Sequence, residues 1–179
     1  MKDKTLIINM YGGPGSGKST LMAGLFAYLK NRGINCEMAP EYAKEKVWEE
    51  SFRVLDNQLY VFAKQHHRIS RLIGKVNVII TDSPLLLSLY YGGDKSKEFN
   101  DLVISEFRKT RHMDIFVKRC KPYNPKGRNQ TEKEAKLIDK KIKAILDGLS
   151  GGYEVLKGEE ASIKLLGDLI LSHKFGEPC

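Results

Sequence analysis

Short apolar runs and amphipathic stretches alternate along the whole chain. Thr5–Met10 is an almost unbroken apolar run closed by glycines, the pattern of a buried strand. Leu21, Leu25 and Leu29 follow at helical spacing within residues 18–31, and Gly33 stops the pattern. Asn35–Ala39 reads as a second strand and residues 42–50 as a helix. Leu55, Leu59, Phe62, His66, Ile69 and Ile73 then recur at steps of four and three, which predicts one long helix with a single buried face, ending at Gly74. Val76–Thr81 is the most apolar strand, so it belongs inside a sheet covered on both sides. Helices at 85–91 and 97–110, a strand at Asp114–Lys118, a loop at 119–130, a helix at 131–147, a strand at Tyr153–Leu156 and a helix at 159–171 complete the pattern. From His173 a loose tail is expected.

Strands separated by helices imply βαβ units and a parallel sheet. The predicted fold is α/β: one doubly wound, parallel five-stranded sheet with helices on both faces, forming a single domain over residues 1–179.

Net charge changes this picture, because it is local. Residues 108–143 hold thirteen Lys and Arg against four acids, a charge of +9, and the rest of the chain carries −1. Such a stretch fits a polyanionic ligand on one face, or else a solvated lysine-rich helix. Cys36, Cys120 and Cys179 show no CxxC spacing, so neither a disulfide framework nor a zinc site is expected, and a reducing compartment fits. No apolar run is long enough to span a bilayer and the start does not read as a signal peptide, which points to the cytoplasm.

The sharpest chemical signal is Gly12-Gly13-Pro14-Gly15-Ser16-Gly17-Lys18-Ser19-Thr20. It matches GxxxxGK[ST] between a strand and a helix, the context a phosphate-binding loop requires. Its backbone N–H groups and the following helix N-terminus would hold ATP phosphates. Lys18 would reach the terminal phosphates, and Ser19 would supply a hydroxyl to Mg²⁺. Asp82 ends the apolar strand, facing the crevice where ligands bind in such sheets, and is a second candidate for the metal; Asp82-Ser83-Pro84 also reads as a helix cap. Glu41, after Pro40 at the same sheet end, is either a base for an attacking hydroxyl or a first-turn acid at a helix dipole. The loop carries five cations and two prolines in residues 118–130 and reads as a basic lid over 119–131. Arg119 and Arg128 are its candidates for stabilising a transferring phosphoryl group. Thr131 with Glu134 is a capping box. Tyr42, Phe52, Arg53, Gln58 and Gln65, with Lys121 and Lys126, are candidates for acceptor contacts; His66 reads more naturally as a core histidine.

These motifs resemble the P-loop kinases of the nucleoside and nucleotide kinase group, including thymidylate kinase. The resemblance rests on Gly12–Thr20, Glu41, Thr81-Asp82-Ser83 and the loop Arg119–Arg128. Lys121-Pro122-Tyr123-Asn124-Pro125-Lys126-Gly127-Arg128-Asn129-Gln130-Thr131-Glu132 is similar to a run in phage-encoded kinases, some of them like the 5-hydroxymethyl-deoxyuridine DNA kinases. Pro40-Glu41-Tyr42-Ala43 resembles the ribosylnicotinamide kinase domain. The resemblance implies ATP, Mg²⁺ and γ-phosphoryl transfer to an acceptor hydroxyl. Ser83 stands where thymidylate kinases commonly carry Arg, which argues against dTMP. No NKxD motif is present, so a regulatory GTPase is not expected, and the length leaves no room for the helical second domain of a large AAA-type motor. Three acceptor readings stay open: the base hydroxymethyl in modified DNA, a small nucleoside, deoxynucleotide or ribosylnicotinamide, or no acceptor at all in a nucleic-acid-binding ATPase.

Overall fold

The computed structural model describes residues 5–92, 96–124 and 130–172. Lys126, Arg128 and the predicted tail from His173 lie outside the described residues.

Five parallel strands form the sheet in the order β2-β3-β1-β4-β5. They are β1 (Leu6–Tyr11), β2 (Cys36–Ala39), β3 (Val78–Thr81), β4 (His112–Lys118) and β5 (Glu154–Lys157). Side-chain alternation along β1 divides the core in two. Leu6, Ile8 and Met10 pack with Val78, Ile80, Ile115 and Val117 against α1 (Lys18–Lys30) and α8 (Ala161–Leu171). Ile7 and Tyr11 pack with Ile79 and Phe116 on the other face. That face is covered by α4 (Gln58–Ser70), α5 (Leu87–Tyr91), α6 (Lys97–Arg108) and α7 (Glu132–Leu149). The doubly wound prediction holds, and the apolar strand β3 is interior, with β1 itself at the centre.

Most element ends shift by one or two residues from the sequence pattern, and two of the differences have a visible cause. The helix expected over 42–50 is α2 (Tyr42–Trp48); it stops because Glu50 takes a left-handed φ of 55°. The long helix expected through Leu55–Ile73 is broken into α3 (Phe52–Asp56) and α4. Asn57 makes the break, its side chain accepting from the Tyr60 N–H at 3.1 Å as the cap of α4. The break shifts the helical phase. Phe62 and Ile69 remain buried, but Leu59 is 57% exposed. His66 is half-buried at the edge of the core, its ring 6.0 Å from that of Phe62 and its Nε2 3.2 Å from Glu106.

Asn9 and Asp114 face each other in the β1–β4 register, and the Asn9 amide donates to the buried carboxylate at 2.9 Å. Ser150 donates to the other oxygen at 2.7 Å, tying the end of α7 to the sheet. The capping box is present: Thr131 and Glu134 satisfy each other's backbone N–H groups.

Candidate functional site

The strand order reverses direction around β1, and the carboxyl ends of β1 and β3 open onto one crevice. Chain leaving β1 becomes the loop Gly12–Thr20, and chain leaving β3 begins with Asp82. Two physical requirements fix the glycines. Gly17 takes a φ of 106° as the N-cap of α1 and offers no capping side chain, so first-turn N–H groups stay available to an anion. Gly13 lies against α7, where a Cβ would fall 2.5 Å from the Ala135 carbonyl oxygen.

Lys18 folds back onto this loop, donating to the carbonyl oxygens of Gly12 at 2.6 Å and Gly13 at 3.2 Å. Burial lowers its pKa, while the carboxylates of Glu41, Asp82 and Asp139 act in the opposite sense. Asp82 is 2% exposed. One carboxylate oxygen accepts from the Ser19 hydroxyl at 2.5 Å and the other from the Glu41 N–H at 3.1 Å. Asp82 therefore caps no helix of its own; α5 starts only at Leu87.

Glu41 is the N-cap of α2, yet its carboxylate makes no capping hydrogen bond. Burial raises its pKa, Lys18 lowers it and Asp82 raises it, so all three groups share one electrostatic environment. A carboxyl group with a raised pKa beside a phosphate loop is a candidate for proton exchange.

Arg119 joins the loop after β4 to the same crevice. It donates to the Pro14 carbonyl oxygen at 2.7 Å and pairs with Asp139 of α7 at 3.2 Å. Tyr123 packs on this arrangement. Its ring centroid lies 5.7 Å from the Arg119 guanidinium, and its hydroxyl donates to the Gln130 carbonyl oxygen. Arg119 and Tyr123 both crowd Gly15, where a Cβ would meet them at 3.0 and 3.1 Å.

The remaining candidates separate. Gln65 is buried, accepts from the Tyr42 N–H at 3.0 Å and reaches Ala39 and Thr81, so Tyr42 and Gln65 together brace the wall formed by β2, β3 and α2. Arg53 and Gln58 line an open groove of about 650 Å³ against Phe99 and Leu102 of α6, and Phe52 lies beside them, 47% exposed. Lys121 is exposed.

Three participants were missed in the sequence. Asp139 sits mid-helix in a lysine-rich run and gave no signal. Gly158 follows β5 and touches the phosphate loop, with a would-be Cβ 2.1 Å from the Ser16 carbonyl oxygen. Tyr91 ends α5 and is 43% exposed overall; cover around its hydroxyl, then the carboxylates of Glu41 and Asp139 among its neighbours, raise its pKa.

The site suits a polyphosphate with a hard cation. The Ser16 hydroxyl is buried within the loop with no hydrogen-bond partner among the described residues. Ser19 and Asp82 already present paired oxygen donors of the type Mg²⁺ takes. A family model described as an AAA domain, AAA_28, matches residues 7–162. The chain belongs to this family. A search of curated proteins finds no match. As an AAA_28 domain with this loop on a parallel sheet, the chain is a P-loop nucleotide-binding domain of the ATPase or kinase type. Among the described residues no helix is long and apolar enough to cross a membrane.

Proposed function

We infer that the chain is an ATP-dependent kinase. It transfers the γ-phosphoryl group to the hydroxymethyl oxygen of 5-hydroxymethyl-deoxyuridine in DNA. The observation that carries the kinase reading is Glu41, a carboxyl group of raised pKa, uncommitted to any cap, beside Lys18 and Asp82. An acceptor hydroxyl needs such a base. Its proton passes to the Glu41 carboxylate, its oxygen bonds to the γ-phosphorus, and the bond to the β–γ bridging oxygen breaks to leave ADP. Lys18 and Arg119 offset charge spreading over the phosphoryl oxygens. Ser19 and Asp82 would hold Mg²⁺, which when bound neutralises charge on the phosphates.

The DNA acceptor is supported by the surface beyond the crevice. Lys133 and Lys140 are exposed seven residues apart on α7, with exposed Leu137 between them, and no ion pair among the described residues engages either. Lys118 and Lys121 are exposed at the end of β4. Small acceptors gain nothing from cations placed there, whereas a nucleic-acid backbone does.

The test is a labelled-phosphate assay with Mg·ATP on DNA containing hydroxymethyluracil, on plain DNA, dTMP and ribosylnicotinamide. Label on the modified base alone is expected. Transfer only to a free nucleoside or nucleotide would overturn the DNA acceptor. Release of phosphate with no phosphorylated product would leave an ATPase and overturn the kinase.

A further inference from the structure

Asp139 contacts both the phosphate loop and the loop that follows β4. Its Oδ1 accepts from the Gly13 N–H at 2.5 Å, and its Oδ2 accepts from Arg119 Nη2 at 3.2 Å. The two side chains are close to fully covered, Arg119 at 10% and Asp139 at 19% exposure. Arg119 meanwhile spends Nη1 on the Pro14 carbonyl oxygen. Its Nε is buried with no partner among the described residues. A buried donor without an acceptor is costly, so the arginine is arranged for a ligand that supplies one. Gly13 being glycine belongs to the same arrangement. A Cβ there would meet Asp139 Oδ1 at 2.9 Å and the Ala135 carbonyl oxygen at 2.5 Å, so α7 and the phosphate loop could not close on each other.

A carboxylate this near a polyphosphate site repels the ligand unless its charge is used. Here it is used twice, on a backbone N–H and on a guanidinium. We propose that Asp139 is a positioning residue for the nucleotide: it fixes the entry of the phosphate loop through Gly13 and holds Arg119 aimed at the nucleotide, so that the arginine is ordered before the ligand arrives. Binding then does not have to freeze a free arginine side chain. The inference rests on nucleotide binding at Gly12–Thr20 and on no particular acceptor.

The experiment is calorimetric titration of Mg·ADP and of a magnesium complex of a non-hydrolysable ATP analogue. The proteins are wild type, Asp139→Asn, Asp139→Ala, Arg119→Ala and the Asp139→Asn/Arg119→Ala double variant. Each is also melted without nucleotide. Asp139→Asn keeps the shape and one acceptor for Gly13 but loses the charge that holds Arg119. It should melt close to wild type and still bind nucleotide about tenfold more weakly, the scale of one charge-assisted hydrogen bond. The double variant, which keeps the acceptor for Gly13, should bind no more than about twofold more weakly than Arg119→Ala alone, because the charge of Asp139 acts through Arg119. Additive losses in the double variant, or wild-type affinity in Asp139→Asn, would overturn the proposal. A residue that merely buttresses α7 would lower the melting temperature and leave the affinities uncoupled. Wild type that binds neither complex would instead defeat the nucleotide reading itself.

Discussion

Replacing Gly158 with alanine tests whether the end of β5 shapes the phosphate loop. The Gly158 N–H is held by the Lys118 carbonyl oxygen at 3.0 Å, so its backbone is fixed to β4. A Cβ would lie 2.1 Å from the Ser16 carbonyl oxygen and 3.2 Å from Gly17 Cα, and Cβ atoms essentially never approach another heavy atom closer than 3.0 Å. Both neighbours are backbone, so no rotamer change relieves the contact and one segment must move by about 1 Å, an overpacking that costs roughly 1–3 kcal/mol. At about 2–4 °C per kcal/mol for a chain of this size, the melting temperature should fall by about 2–12 °C. The loop that moves is the one that cradles phosphate, so binding should suffer as well. Mg·ADP at a hundred times its dissociation constant stabilises wild type by about 2.7 kcal/mol, and a tenfold weaker variant should lose about half of that shift. Differential scanning fluorimetry with and without Mg·ADP reads both numbers. Gly148→Ala is the control, since its Cβ meets nothing within 4 Å on α7 and should gain about 0.5–1 kcal/mol of helix propensity. A Gly158→Ala protein melting within about 1 °C of wild type, with an undiminished ligand shift, would refute the reasoning.

Lys18→Ala should cut single-turnover phosphoryl transfer by about 10²-fold or more with the circular dichroism unchanged, since charge placed on the phosphates is most of what the loop supplies. Glu41→Gln should abolish turnover while sparing nucleotide affinity. Because the folded pKa of Glu41 is raised, the stability linked to its proton is present at low pH and lost as pH rises through that pKa, so the Gln variant should melt no lower than wild type near neutrality. A drop in melting temperature with turnover intact would show a capping role instead. For wild type, the acid limb of the rate profile should lie above the ordinary glutamate range, and a limb at or below that range would remove Glu41 as the base. Replacing Lys133 and Lys140 together with Gln should weaken DNA binding and flatten a log–log salt slope of roughly −3 to −5 by about 1–2, with ATP affinity unchanged; an unchanged slope would detach α7 from the acceptor.

Signals that fit within a few residues were legible in the sequence. The strand count, the parallel sheet, the phosphate loop and the capping box depend on spacing, glycine and charge at short range. The break at Asn57 was hidden because Leu55, Leu59 and Phe62 keep helical spacing across it, and one polar residue inside such a pattern does not announce a cap. Asp139 and Gly158 were hidden for another reason. Their partners are Gly13, 126 residues away in the chain, and the Ser16–Gly17 backbone, and nothing local to a lysine-rich helix or a strand end records such contacts. Tyr42 and Gln65 carry side chains suited to a nucleobase, and only the packing shows that the Gln65 side chain is taken by the Tyr42 backbone N–H within the wall.

The charges in the crevice separate the roles of its two neighbouring carboxylates. Lys18 lies within electrostatic reach of Glu41, Asp82, Asp139 and Arg119, which leaves one more acid than base when all are ionised. A bare polyphosphate would add to that excess, and Lys18 would have to exchange the Gly12 and Gly13 carbonyl oxygens for phosphate oxygens to oppose it. A polyphosphate bound as a metal complex would lessen the conflict, since Ser19 and Asp82 are the residues that would hold the cation. Both Asp82 oxygens are already committed, one to Ser19 and one to the Glu41 N–H, so that carboxylate is fixed in place. Glu41 is the reverse. It is held at the same point by Asp82 through its backbone, while its carboxyl group makes no cap and carries a raised pKa. On the proposed kinase reading Asp82 would face the cation and Glu41 the acceptor proton, an assignment that rests on their different hydrogen bonds rather than on their similar positions after neighbouring strands.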